Sequence, residues 1–179
     1  MGQKVCPTGL RLGITETWRS RWYADKKKFG DYLVEDEKIR RFIKQNYQYA
    51  GVSKIEIERT REELNVIVHS ARPGLLIGRK GVEVERLKNE LEGLTDAHVE
   101  ISVQEVAQPE LSAQLVAEDV AQQLERRSSF RQTIKKAAEM TMDAGAEGAR
   151  VQIDFLFDSE MGCRAATLFA EDAGAVGVV

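Results

Sequence analysis

The stretch ARPGLLIGRKGVEVERL, residues 71–87, places two cations between two glycines directly before a helical pattern. Gly78 lets the backbone turn sharply, and Gly81 lets another chain pass close by, since glycine has no side chain. The following helix presents free amides and its positive dipole end to an anion, and Arg79 and Lys80 add charge. The loop therefore indicates a phosphate site. Three readings are open: a nucleotide cofactor, a nucleic-acid backbone, or a charged turn that faces only water.

The residues around Gly81 exclude the common nucleotide-binding loops. A Walker loop closes with Gly-Lys-Ser/Thr, whose hydroxyl binds magnesium, but Gly81 is followed by Val82. A dinucleotide fingerprint needs a third glycine and a preceding parallel strand, and neither is present. No nucleophile elbow, Ser/His/Asp set or paired-carboxylate site is recognisable, so the sequence predicts neither an enzyme nor a cofactor. The preceding Ile77, the two basic middle residues and the helix-strand order instead favour a clamp for an RNA backbone over a charged turn that faces only water. The bases would then lie in an apolar groove beside the clamp.

Periodic apolar residues predict the elements around this loop. A helix is expected from about Tyr32 to Tyr49, ended by Gly51, and strands are expected in SKIEIERT (53–60) and LNVIVHS (64–70). A second long helix follows Val82, and HVEISVQEV (98–106) closes the unit as a strand. The predicted order is helix, strand, strand, helix, loop, helix, strand.

A boundary near Pro109 separates a second α+β group. Helices are predicted from Leu111 to about Arg127 and from Phe130 to about Ala144, followed by a strand from Ala149 through Ile153. The fold class is therefore α+β, with two helices packed on a sheet in the smaller C-terminal part. Residues 154–179 give weak signals and are left unassigned.

The net charge of −3 is unevenly distributed. Residues 1–50 carry 11 basic and 6 acidic groups, a net of +5, so a local basic site is compatible with an acidic chain. The first 31 residues are predicted to form a basic arm, in which Trp18, Trp22 and Tyr23 stand among Arg and Lys. These aromatic residues can stack on RNA bases or pack on the body of the protein, and both readings stay open.

Cysteine and histidine usage predicts neither a disulfide nor a metal site. Cys6 and Cys163 have no paired ligand spacing, and His69 and His98 lie in strand-like alternations as surface or half-buried residues. No stretch is long and apolar enough to span a membrane, and a reducing, cytoplasmic location is expected.

A second cationic segment runs from the end of the first C-terminal helix into the start of the second. From Arg126 to Lys136 there are five cations and no acid, namely Arg126, Arg127, Arg131, Lys135 and Lys136. A solvated helix face is the common explanation of such a run. In an otherwise acidic chain, an acid-free run favours RNA contact.

The segment from about Tyr32 to Val106 resembles a type II KH domain, whose element order is αββααβ. Three motifs, MGQKV.P.G.RLGI, ARPGLLIGRKG and PEL.A.LVAEDVA.QLERR..FR...KKA, resemble the bacterial family of ribosomal small-subunit protein three, nearly continuously to Ile153. The resemblance implies a basic arm (1–31), a KH domain (32–107) and a C-terminal domain (108–179) that is atypical or truncated after about residue 153.

The same resemblance implies a structural protein of the small-subunit head that binds ribosomal RNA, adjoins other head proteins and lines the channel where messenger RNA enters. Neither a membrane nor a small-molecule substrate is implied. The expected RNA-binding residues are Lys4, Arg11, Arg72, Ile77, Gly78, Arg79, Lys80, Gly81, Arg126, Arg127, Arg131, Lys135 and Lys136. Many relatives carry a second Arg after the residue matching Arg131, where this chain has Gln132, which reduces the expected unwinding of structured messenger.

Two other functions compete with a ribosomal role. A free KH module could regulate single-stranded RNA, although a long basic arm favours the ribosomal protein. An RNA-processing enzyme would need a catalytic site in residues 111–179, and none is recognisable there.

Overall fold

The computed structural model describes residues 7–60, 63–95, 97–153 and 166–169, with residues 7–8 and 166–169 described by their backbone only. These residues form two compact units, of which one comprises residues 17–107 and the other joins the described residues before 17 to those after 107. The helices and strands are, in chain order, α1 Pro7–Arg11, β1 Ser20–Arg21, α2 Phe29–Asn46, β2 Val52–Arg59, β3 Glu63–Ser70, α3 Pro73–Ile77, α4 Val82–Glu92, β4 His98–Glu105, α5 Ala113–Glu125, α6 Phe130–Asp143, β5 Arg150–Ile153 and β6 Ala166–Phe169.

Residues 17–107 contain a four-stranded sheet in the order β1-β2-β3-β4. β2 and β3 are antiparallel, whereas β4 runs parallel to β3 and the short β1 runs parallel to β2. A parallel neighbour requires a crossover, which α3 and α4 supply between β3 and β4. The predicted α+β class and the order αββααβ are confirmed.

Alternating apolar residues give this sheet one buried face. Ile57 of β2, Val66 of β3 and Val99 of β4 are fully buried. Helix α2 covers them with Ile39 and Ile43, which are four residues apart and therefore share one helical face. The core joins these to residues of α3 and α4, including Leu76, Leu87 and Leu91.

The opposite face of the sheet carries an ionic cluster around Glu56. Its carboxylate lies 2.7 Å from Lys54 Nζ, 3.0 Å from Arg21 Nη2 and 3.4 Å from His69 Nε2, the last without hydrogen-bond geometry. Burial raises the pKa of the Glu56 carboxyl, but the hydrogen bond and charge of Lys54, with smaller effects from His69 and Arg21, outweigh it and leave the pKa below its usual value. Burial lowers the pKa of His69, and the charge of Lys54 adds to this effect, while Glu56 opposes it.

Helix α2 begins and ends three residues earlier than its apolar pattern predicts, at Phe29 instead of Tyr32 and at Asn46 instead of Tyr49. A separate 3₁₀ turn, Gln48–Ala50, follows it and ends at Gly51, whose φ of 64° is left-handed. The predicted role of Gly51 as a stop is therefore correct, but it stops the 3₁₀ turn.

The C-terminal unit packs α5 and α6 on the two-stranded antiparallel sheet of β5 and β6. Ala117, Val120 and Ala137 form its buried centre, and Val151 and Ile153 pack against it from β5. The prediction of two helices on a sheet is confirmed. The described residues of this part contain β6, a strand that the sequence left unassigned.

Candidate nucleic-acid interface

The end of β3 and the helix α3 fix the position of the glycine loop. The Ser70 hydroxyl donates to the carbonyl of Ala50 at 2.7 Å and accepts the backbone N–H of Arg72 at 3.0 Å. Pro73 then starts α3, where its fixed φ suits the first turn. Leu76 anchors this short helix because its side chain is only 1% exposed.

Gly78 is required for two separate reasons. Its φ of 68° is left-handed, and a Cβ added there would lie 2.6 Å from Glu83 Cγ and 2.9 Å from Glu83 Cβ. The backbone at residue 78 is therefore held closely against the first turn of α4. Gly81 has a φ of 82°, but a Cβ there would meet nothing within 4 Å.

Arg79 and Lys80 lie at the surface between these glycines, in a 3₁₀ turn that runs into α4. Lys80 adopts a left-handed φ of 57°, which is uncommon for a residue with a side chain. In the part of the chain that the structure describes, no carboxylate pairs with either cation. Both cations are thus available to an anion at the N-terminus of α4.

Apolar surface flanks the loop on both sides. Leu75 and Ile77 of α3 and Val82 of α4 are between 42% and 58% exposed. Glu83 and Glu85 also lie in the first turn of α4, where they compete with an incoming phosphate for the helix amides. Arg72 is exposed at the N-cap of α3. The structure therefore brings Arg72, Ile77 and residues 78–81 together along one loop.

The second predicted cationic group lies in the C-terminal unit. Its five members are exposed: Arg126 and Arg127 follow α5, and Arg131, Lys135 and Lys136 belong to α6. The Arg131 guanidinium lies 5.7 Å from the Phe130 ring centroid, and Lys135 Nζ lies 3.7 Å from Glu139 Oε1. Pairs with this much exposure contribute little, so Lys135 remains available to RNA.

Two further predicted residues belong to the N-terminal segment. Arg11 is half-buried at the end of α1, and its carbonyl accepts backbone N–H groups of the following turn. Lys4 lies outside the described residues.

The sequence did not reveal the buried carboxylate that fixes part of the N-terminal segment. Asp36, 1% exposed, accepts Trp22 Nε1 at 2.8 Å and Ser20 Oγ at 3.0 Å. It also accepts a hydrogen bond from Arg59 Nη2 at 2.7 Å.

Trp22 packs on the protein, against the rings of Phe29 and Tyr32, whereas Trp18 and Tyr23 are 63% and 93% exposed. Packing on the protein is therefore confirmed for Trp22, whereas stacking of Trp18 and Tyr23 on RNA bases stays a prediction.

Across the described parts of the chain, no helix is long and apolar enough to cross a membrane.

Comparison with known proteins identifies both the domain and the relatives. The KH domain family matches residues 38–111. Small ribosomal subunit protein uS3 of Rhodopirellula baltica is 55% identical over 158 residues, covering 86% of this chain and 67% of the relative. The uS3 proteins of Desulfatibacillum aliphaticivorans and Chlamydia trachomatis are 54% and 50% identical, covering 84% and 86% of this chain and 69% and 68% of theirs. This chain therefore spans about two thirds of the length of these relatives.

Proposed function

Because this chain belongs to the uS3 family of small ribosomal subunit proteins, we propose that it is a structural constituent of the subunit head, binds small-subunit ribosomal RNA and lines the channel where messenger RNA enters. Membership of this family confirms the predicted resemblance, and ribosomal proteins of this kind are not enzymes. The matched KH domain supports RNA binding as the physical basis of the role.

The loop Gly78–Gly81 carries the proposal for RNA. Two exposed cations without carboxylate partners among the described residues stand where α4 presents its first amides. Phosphate binding needs local positive charge, and it needs a backbone that lets the sugar-phosphate chain approach. Exposed Ile77 and Val82 provide apolar surface for bases beside the clamped backbone. Such a clamp recognises RNA without reading a particular base.

The messenger channel is proposed from the cations of α6. Arg131 and Lys135 are four residues apart and therefore project from one face of the helix. Arg126 and Arg127 directly follow α5, so a phosphate chain that passes this unit meets several cations in succession. Gln132 leaves this face with one charge fewer than many relatives carry, and we propose a correspondingly weaker effect on structured messenger.

The partners proposed are ribosomal RNA, messenger RNA and neighbouring proteins of the subunit head, and the proposed location is the ribosome. Sedimentation of cell extract in gentle salt tests this. We expect the protein in the small-subunit fractions. If it stays at the top of the gradient, the ribosomal role is wrong and a free KH regulator of single-stranded RNA takes its place.

A further inference from the structure

A cleft that adjoins the loop through Glu83 opens between the end of α2 and α4. It has a volume of about 610 Å³, within the range of sites that bind small ligands or single side chains of a partner. Phe42, Tyr47 and Tyr49 line one side. Tyr49 is 49% exposed, and Leu94 on the other side is 44% exposed, so the cleft offers apolar surface to a partner.

Tyr47 contributes a polar group to the wall of this cleft. Its side chain is only 4% exposed, and its ring packs 6.0 Å from that of Tyr49. Tyr47 lines the cleft, and no hydrogen bond among the described residues involves its hydroxyl. Burial raises the pKa of this hydroxyl, and the nearby Glu90 carboxylate raises it further. The hydroxyl can therefore donate to a molecule that occupies the cleft.

The charges in the cleft favour a cation. Glu83 and Glu90 line it with a single guanidinium, that of Arg86, which already donates to Glu90 at 2.9 Å. One carboxylate is therefore left in excess. A phosphate would be repelled there, whereas a Lys or Arg side chain would find a carboxylate and aromatic faces together.

We propose that this cleft binds a Lys- or Arg-bearing extended segment of a neighbouring small-subunit protein. The cationic head lies between Glu83 and Glu90, its aliphatic stem lies on Tyr49 and Leu94, and a backbone carbonyl of the segment accepts the Tyr47 hydroxyl. The choice of a ribosomal neighbour rests on the proposed function, but the chemistry of the cleft does not. The loop would then bind an anion at the N-terminus of α4, and the cleft would bind a cation along the same helix.

Binding of a fluorescein-labelled alternating Arg-Leu octapeptide to the purified full chain tests the chemistry. We expect binding by the wild-type chain, with affinity lowered on the order of tenfold in the double variant E83Q/E90Q. The matched control E100Q/E105Q removes two exposed carboxylates from β4 and should bind like wild type. Equal affinity in E83Q/E90Q, or equally tight binding of a Glu-Leu octapeptide, would overturn the proposal.

The variant Y47F separates binding from folding. The substitution keeps the aromatic ring at position 47 and removes no hydrogen bond among the described residues, so we expect an unchanged melting temperature. The missing hydroxyl should nevertheless weaken peptide binding several-fold. Unchanged binding would show that the hydroxyl takes no part.

Crosslinking in the assembled subunit identifies the partner. Leu94 is replaced by p-benzoylphenylalanine, and the sedimented small subunits are irradiated. A crosslink to a Lys- or Arg-containing segment of a protein is expected, whereas a crosslink only to RNA, or none, contradicts the proposal. If the wild-type chain does not sediment with subunits, the proposed function is wrong. The peptide measurement still shows whether the cleft binds a cationic segment.

Discussion

Glu83 occupies the space that a side chain at Gly78 would need, since its Cγ lies 2.6 Å from the Cβ position of residue 78. The variant G78A must therefore displace the first turn of α4 in addition to adopting an unfavourable φ. Gly81 has a similar φ and open space around it. We expect G81A to lower the free energy of unfolding by about 1–2 kcal/mol, the cost of a left-handed residue. G78A should cost more and should also weaken RNA binding. Chemical denaturation measures the free energy of unfolding of both variants, and equal losses in G78A and G81A would contradict the expected order.

Reversing both loop cations should weaken RNA binding without unfolding the protein. If Arg79 and Lys80 each neutralise one phosphate, the double variant R79D/K80D flattens the slope of log affinity against log salt by about 1.4 for a single strand. Titration of a single-stranded RNA at several salt concentrations measures the slope. The variant K38D/R41D, which reverses two exposed cations of α2, serves as the control. A slope that R79D/K80D leaves unchanged would rule out the clamp.

Removing the α6 cations should affect structured messengers selectively. The variant R131Q/K135Q removes both positive charges and keeps polar side chains at the two exposed positions. We expect slower translation of messengers with a hairpin just ahead of the ribosome and little change for unstructured ones. Reporter pairs that differ only in the hairpin measure the ratio of the translation rate with the hairpin to the rate without it. Equal slowing of both reporters would indicate that these residues bind ribosomal RNA instead.

The pair of Arg59 and Asp36 should be the most sensitive ion pair of the KH unit. Their side chains are 7% and 1% exposed, and R59M leaves a buried carboxylate without its main partner. Breaking a buried pair in this way costs about 3–5 kcal/mol. The exposed pair of Arg41 and Glu37 provides the control, for which R41Q should cost at most about 0.5 kcal/mol. Urea unfolding measures the free energy of unfolding of both variants. Similar losses in R59M and R41Q would refute the ranking.

Stability should fall as the pH drops below neutrality, and His69 should be responsible for part of this. Burial holds the pKa of His69 below its ordinary value of 6.5, so the unfolded chain takes up the proton more readily than the folded one. The stabilisation is therefore complete above about pH 6.5 and is lost as the pH falls through the lower folded pKa. H69Q should flatten the decline below about pH 6.5, as urea unfolding at several pH values measures, and an unchanged decline would contradict this role of His69. Glu56, whose pKa is also lowered, loses its contribution at still lower pH.

The loop and the order of the KH elements could be predicted because their signals are local. Gly78 and Gly81 flank the two cations directly in the sequence. Ile55 and Ile57 alternate with polar residues, which predicts their strand within a few positions. The start of α2 was misplaced because Lys26–Lys28 and Gly30 show no apolar period, although the backbone is helical from Phe29. Periodicity reports which face is buried, and this first turn buries little.

The buried polar contacts could not be predicted because they join distant parts of the sequence. Asp36 lies among exposed Glu37 and Lys38, and nothing in that stretch shows that Trp22 and Arg59 meet it. The cleft depends in the same way on Tyr47 and Glu90, which are 43 positions apart in the numbering and come together only when α4 packs.

The two residues of β1 have a consequence for self-association. Ser20 and Arg21 pair with Ile57 and Glu58, and so occupy hydrogen-bonding groups on the outer edge of β2. An uncovered strand edge is a template on which a second copy can add a strand. Because Asp36 holds Ser20 and Trp22 in place, one buried carboxylate keeps that edge shielded. We expect the loss of Asp36 to free the edge of β2 at Ile57 and Glu58 for pairing with a second copy of the chain.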